Sequence, residues 1–252
     1  MFNSIDLSII GPAFIAGLLV LATHVPLGKE VLRRGIIFID LAIAQIAGVG
    51  VIAAYRFGWD SHGLEVQFAA VSSALMAALL LSWLEKHYPS IQEALIGITF
   101  VLAATASILL LANNPHGGES LKDLLVGQIL WITWDQLLPT AAITSFILFC
   151  LFIFREQLNH SGFYLLFAIA VTNSVQLVGV YLVFASLIIP ALGSAGWNKP
   201  LLGGYLIGCL GYGVGLCLSS LLDLPSGAII VWSIAVTALL FKFLIRISCK
   251  LY

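Results

Sequence analysis

Residues 94–112 read ALIGITFVLAATASILLLA, an uncharged run of nineteen positions. An α-helix rises about 1.5 Å per residue, so such a run measures about 28 Å, close to the roughly 30 Å of a bilayer's hydrocarbon core. It lacks the alternation of apolar and polar residues that a membrane-spanning β-strand requires. It is therefore read as a transmembrane helix. Comparable runs occupy residues 7–27, 36–54, 66–84, 136–154, 201–222 and 227–244. The composition agrees: of 252 residues, 61% are hydrophobic and 9% charged, where a soluble domain carries roughly 25% charged residues. Too few charges remain to solvate a folded surface of this size, which excludes a soluble enzyme, a disordered chain and a collagen-like fibre. The formal net charge of −1 offers nothing to a nucleic acid. The expected fold class is all-α, a polytopic transmembrane helix bundle, in a single domain over residues 1–252.

Two stretches break the pattern. Residues 121–133 are apolar but too short to cross, and they carry Lys122 and Asp123; they read as a half-helix or re-entrant segment. Residues 163–192 are too long for one simple crossing and are interrupted by Asn173, Ser174, Gln176 and Gly179. They read as a kinked helix or two short ones, for about eight or nine membrane segments in all. The positive-inside rule places Lys29, Arg33, Arg34, Lys86, Arg155, Lys199, Lys242, Arg246 and Lys250 on the cytoplasmic side, with the C-terminus. Trp59, Asp60 and His62 then lie outside. The loops are short and no Walker-type glycine loop occurs, so the chain is not expected to bind a nucleotide itself. Cys150, Cys209, Cys217 and Cys249 form no C-x-x-C pair and read as small hydrophobes buried in the membrane.

An ionisable group within the hydrocarbon costs about 2.5–3.5 kcal/mol on insertion scales, so each one is a functional candidate. His24, Asp40 and Glu93 are in or near spans. If the first span ends near Leu27 and the second starts near Ile36, His24 and Asp40 share a depth across a hairpin. Their contact would serve either as a metal-ligand pair or proton relay, or as a bond that only pins the hairpin. Gln45 follows five residues after Asp40 and points about 140° away. Glu93 either takes part in such a site or stabilises the positive end of its own helix. His62, His87, His116 and His160 read as solvated loop residues.

Five stretches together resemble the membrane-spanning permease of bacterial zinc/manganese-type ABC importers. They are Pro26-Leu27-Gly28 with Arg34-Gly35-Ile36-Ile37-Phe38-Ile39; Leu84-Glu85-Lys86 leading to Glu93-Ala94-Leu95-Ile96-Gly97-Ile98; and Leu124-Leu125-Val126-Gly127-Gln128-Ile129-Leu130. Val178-Gly179 with Leu187-Ile188-Ile189-Pro190-Ala191 and Asp223-Leu224-Pro225-Ser226-Gly227 complete the series. Arg34, Gly50, Gly97, Pro190, Asp223, Pro225 and Gly227 fall on signature positions. The family's second span carries G-D-x-x-x-H, an Asp and a His on one helix face. Here Asp40 falls on that glycine, Leu41 on that Asp and Gln45 on that His.

The resemblance implies a permease that moves a divalent transition metal into the cell, zinc first, with manganese or iron as alternatives. No cofactor is bound by this subunit. ATP would be used by a separate cytoplasmic ATPase, an external metal-binding protein would deliver the cargo, and the permease would be a homodimer in the inner membrane. His24, Asp40, Gln45 and Glu93 are the candidate metal residues. The loop over residues 192–200, with Gly193, Ser194, Gly196, Trp197 and Lys199, is the candidate ATPase contact, and Trp197 is expected either to anchor at the interface or to insert into the ATPase. The altered ligand positions leave open a chelated metal or other small cargo, or a proton-coupled transporter using His24 and Asp40.

Overall fold

The computed structural model describes residues 7–56, 59, 63–112, 114, 117–153 and 160–248. Asp60, His62, His116, Arg155, Cys249 and Lys250, and the side chains of His160 and Arg246, lie outside the described residues. Ten α-helices follow in order: α1 Leu7–Arg34, α2 Ile39–Arg56, α3 Leu64–His87, α4 Gln92–Leu111, α5 Gly117–Val126, α6 Trp134–Ile153, α7 His160–Val178, α8 Val180–Gly193, α9 Pro200–Leu222 and α10 Ser226–Ser248. Eight are long and apolar enough to cross a membrane, all but α5 and α8.

The first helix is longer than its apolar run. Glu30 accepts from Arg33 Nε at 2.8 Å and from Arg34 Nε at 2.7 Å, so i, i+3 and i, i+4 pairs carry the helix through its charged end. Gly35, at φ 72°, closes it, with the Ile36 N–H returning to the Val31 carbonyl as in a Schellman cap. The break in the long stretch falls at Gly179, not at Asn173 to Gln176, which stay inside α7. α7 and α8 thus form a broken pair.

Consecutive helices are not always neighbours. α2 packs on α3 and α4, and α3 on α7; α1 packs on α8, α9 and α6, while α10 closes on α9 and α8. α1 and α2 make little contact with each other, and α7 lies against both. The outer helices α4 and α6 turn large apolar side chains such as Leu102, Leu109, Phe146 and Phe149 outward, as a lipid-facing surface requires.

The glycines of α9 form two seams. Gly204 and Gly208 face Val25 and Leu21 of α1, and Gly211 and Gly215 face Ile234 and Ile230 of α10. A side chain at Gly204 or Gly208 would press on the side chains of Val25 or Leu21, and one at Gly211 or Gly215 on the backbone of α10, so the helices pack closely at both seams. A third joint unites separate motifs. Gly127 after α5, at φ 71°, and Gly179, at φ 80°, lie in mutual backbone contact, and Gly227 of α10 abuts the Val126 carbonyl.

Candidate functional site in the bundle interior

His24 is wholly buried. Its Nδ1 lies 2.9 Å from the Val20 carbonyl and 3.0 Å from the Thr23 hydroxyl. A carbonyl only accepts, so Nδ1 carries the proton and Nε2 keeps its lone pair. That Nε2 has no hydrogen-bond partner. An imidazole held through one N–H with the other nitrogen free has the form of a metal ligand.

The structure does not bring Asp40 to it. His24 lies ten residues before the end of α1, about 15 Å by helical rise, whereas Asp40 is the second residue of α2. No hydrogen bond or ion pair joins them among the described residues. The expected hairpin contact is corrected on two counts: α1 runs on to Arg34, and α1 and α2 do not pack as a pair. Asp40 is nevertheless fully buried, with neither carboxylate oxygen partnered. Gln45, also buried, leaves Oε1 unpartnered on the same helix. Thr172 of α7, absent from the sequence-based candidates, is buried with an unpartnered hydroxyl. Its signal was weak: a threonine in an apolar helix ordinarily satisfies itself on its own backbone. These orphan atoms sit on α1, α2 and α7, of which α7 lies against both of the others. Among the described residues, no three His, Cys, Asp or Glu side chains gather into a metal cage.

Glu93 lies in the first turn of α4, where a carboxylate favours the positive end of its own helix, and its Oε1 also accepts from the Phe38 N–H at 3.2 Å, just before α2. Arg34 stands at the same end of the bundle. Its guanidinium bonds Glu30, lies 3.9 Å from Glu85 of α3 and sits 4.2 Å over the Phe163 ring of α7. Gln92 donates to the Tyr164 hydroxyl at 2.6 Å nearby. The signature arginine therefore ties α1 to α3 and α7. His87 is an exposed last-turn residue of α3, stacked on Trp83 with ring centres 4.4 Å apart.

The turn after α8 lies at this basic end. Gly193 is packed against Ala238 and Ile207, and the Ser194 hydroxyl donates to the Pro190 carbonyl at 2.8 Å. Gly196, at φ 91°, makes the turn, and Lys199 precedes α9. Trp197 does not project: it stacks on Phe241 of α10 at 5.7 Å and lies on Gly203. The solvent-exposed part of the turn is Ala195, Gly196, Asn198 and Lys199. A cavity of about 810 Å³ opens beside it, lined by Leu27, Lys29, Arg33, Phe163, Ala195 and Leu201, among others. At the opposite end, Asp223 ends α9 in the left-handed region at φ 53°, and Pro225 leads into α10. Gly50 meets Ser73 and Ala69 of α3, while a Cβ on Gly97 would meet nothing within 4 Å.

Eight helices among the described residues, each long and apolar enough to cross a membrane, define a multi-pass membrane protein. The sequence model of the ABC 3 transport family matches residues 6–163 and 157–246, and the chain belongs to that family. By family it is a membrane subunit of an ABC transport system. The manganese transport system membrane protein MntC of Halalkalibacterium halodurans is 25% identical over 65% of this chain and 61% of its own length. A membrane protein of Synechocystis sp. is 25% identical over 92% of this chain and 89% of its own. Among solved structures, PsaBC from Streptococcus pneumoniae in complex with Fab superposes with a TM-score of 0.77. It covers 94% of this chain and 91% of its own at 21% identity, a likeness of fold.

Proposed function

We propose that this permease imports a divalent first-row metal ion, zinc before manganese or iron, and that His24 meets the ion on its way. The observation that carries the reading is the free Nε2 of a wholly buried imidazole whose other nitrogen is committed to Val20. A borderline cation such as zinc is suited to that lone pair. Asp40 and Gln45 offer oxygen at another depth, so the ion meets its ligands in sequence and not in one cage. Few simultaneous ligands favour passage, because a cargo must leave as well as bind. Glu93 holds the Phe38 N–H just before α2 with one oxygen, while its buried Oε2 has no partner.

The basic end faces the cytoplasm in this reading, by the positive-inside rule. Ala195, Gly196, Asn198 and Lys199 then meet a separate ATPase, whose ATP cycle drives the change of access. Lys29, Arg33 and Arg34 outnumber Glu30 at the cavity, a balance that repels a bare divalent cation and suits an acidic partner surface. The permease acts as a homodimer, and an external metal-binding protein loads it near the opposite end, where Asp223 to Gly227 turn. A chelated metal is the second reading, favoured by the lack of a ligand cage among the described residues.

The test is ATP-driven uptake of radioactive zinc and manganese by the permease reconstituted with its ATPase in vesicles. His24→Ala is expected to lower zinc uptake by about tenfold or more, the effect of removing even an outer-shell partner. Unchanged zinc affinity in His24→Ala would refute the role of His24. No uptake of either free ion by the wild type would favour the chelate.

A further inference from the structure

Pro26 lies inside α1. A proline has no N–H, so the carbonyl four residues earlier loses its helical partner. That carbonyl belongs to Ala22. The Tyr205 hydroxyl of α9 donates to it at 3.0 Å, from 183 positions along the chain. The approach is made possible next door: Gly204 lies against Val25 and Gly208 against Leu21, where a Cβ would stand 2.8 Å from a Val25 methyl or a Leu21 methyl. The close seam and the donor are parts of one arrangement.

The turn held in this way, residues 22–26, carries His24. Tyr205 sits five residues after Pro200, the first residue of α9, directly beyond the turn assigned to the ATPase. Seven residues further, the Tyr212 hydroxyl lies 2.9 Å from that of Ser186 on α8, and its ring covers Gly17 of α1. α9 thus grips α1 at two levels and α8 at one.

We propose that Tyr205 is a positioning residue: its hydroxyl replaces the N–H missing at Pro26, fixes the turn that presents His24 to the cargo, and ties that turn to the ATPase-facing start of α9. This rests on the reading of His24 given above. In another helix proline kink the freed carbonyl would turn to water or a neighbouring Ser or Thr; here the donor comes from the helix that begins at the coupling turn.

The experiment is a double-mutant cycle on the full permease with its ATPase in vesicles, at matched membrane levels. The variants are Tyr205→Phe, Pro26→Ala and both together, with His24→Ala alongside. The readouts are the apparent KM for zinc uptake, with zinc salt as the probe, and the melting temperature. Tyr205→Phe leaves the Ala22 carbonyl unpaired and is expected to raise KM about tenfold. Pro26→Ala restores the N–H at position 26, so Tyr205→Phe in that background should change KM by less than about twofold. An equal KM shift in both backgrounds would overturn the proposal, because the hydroxyl would then serve another group. So would a fall in melting temperature with KM unchanged, which marks a purely structural bond. If His24→Ala leaves KM unaltered, the metal reading fails and takes the positioning claim with it. Non-additivity in melting temperature would then still report the bond between Tyr205 and Ala22, so the two failures are separable.

Discussion

Gly179→Ala is the sharpest test of how the bundle is joined. Gly179 has φ 80° and ψ 163°, a region essentially reserved for glycine, where an L-residue costs on the order of 1–3 kcal/mol. Space is short as well. A Cβ would stand 2.6 Å from the Val126 carbonyl carbon and 2.7 Å from the Gly127 Cα, and it would press on the Gly127 nitrogen. These are backbone atoms of a joint that also receives Gly227, so they cannot turn aside as a side chain would. Overpacking of this kind costs roughly 1–3 kcal/mol more. The sum is about 4 kcal/mol, and for a chain of this size it lowers the melting temperature by about 8–16 °C. Gly97→Ala is the control. Its Cβ would meet nothing within 4 Å inside α4, and replacing a helical glycine gains up to about 1 kcal/mol. The assay is thermal unfolding of the purified full chain in detergent, followed by tryptophan fluorescence. A drop of less than about 3 °C for Gly179→Ala, or an equal drop for Gly97→Ala, would show that the joint is not what holds the broken pair.

Asp40→Asn should separate stability from transport: replacing a buried, unpartnered carboxyl group by an amide is expected to change melting by no more than a few degrees, about 1 kcal/mol, while zinc uptake falls. Reduced melting with full uptake would contradict that role for the carboxylate. Glu93→Ala, which removes the acceptor from the Phe38 N–H, should cost about 1 kcal/mol in a urea or thermal titration, and Glu93→Gln only a few tenths; equal losses would mean that the charge and not the cap matters. Arg34→Lys keeps the charge but loses the planar group over Phe163, and it is expected to cost about 1 kcal/mol, read as a lower melting temperature without a change in the KM for zinc.

The crossings are legible because an apolar run near the bilayer's length has few other uses, and α4 and α10 need no more than that. A short segment is legible for the converse reason: residues 121–133 are too short to span and carry Lys122 and Asp123, although the helix itself lies earlier, over Gly117–Val126. The end of α1 is misread near Leu27 because hydropathy stops there while the helix does not. Glu30, Arg33 and Arg34 satisfy one another along the helix surface, which a count of apolar residues does not register. The error propagates to the site. His24 and Asp40 share a depth only if both spans end early, and only if neighbours in sequence are neighbours in space. Periodicity tells which face of a helix is apolar but not which helix will cover it, and here α7 and α8 touch both α1 and α2. The Glu93 cap and the Tyr205 bond are long-range for the same reason: nothing local distinguishes a carboxylate that caps its own helix from one that caps another's.

Several of the motifs that carry the family resemblance turn out to be joints, although Gly97 meets nothing within 4 Å. Gly28 packs on the Leu187 carbonyl of α8, and Gly35 closes α1. Arg34 binds α1 to α3 and α7, and Gly127, Gly179 and Gly227 meet at one point. Pro26 and Pro190 lie inside the two helices that touch at Gly28. Positions of this kind determine how rigid elements fit and move, and they say nothing directly about what passes between them. The residues that depart from the family, Asp40 and Gln45 with the added His24, lie in the polar interior and belong to none of these joints, apart from the turn that Tyr205 braces. Scaffold and cargo selection are therefore physically separable in this chain. Changing a joint should alter stability and coupling for every cargo alike, whereas changing His24 should alter the ratio of zinc to manganese uptake, since imidazole favours zinc and oxygen ligands do not. A selectivity ratio, and not a rate, is consequently the quantity that identifies which residues touch the ion.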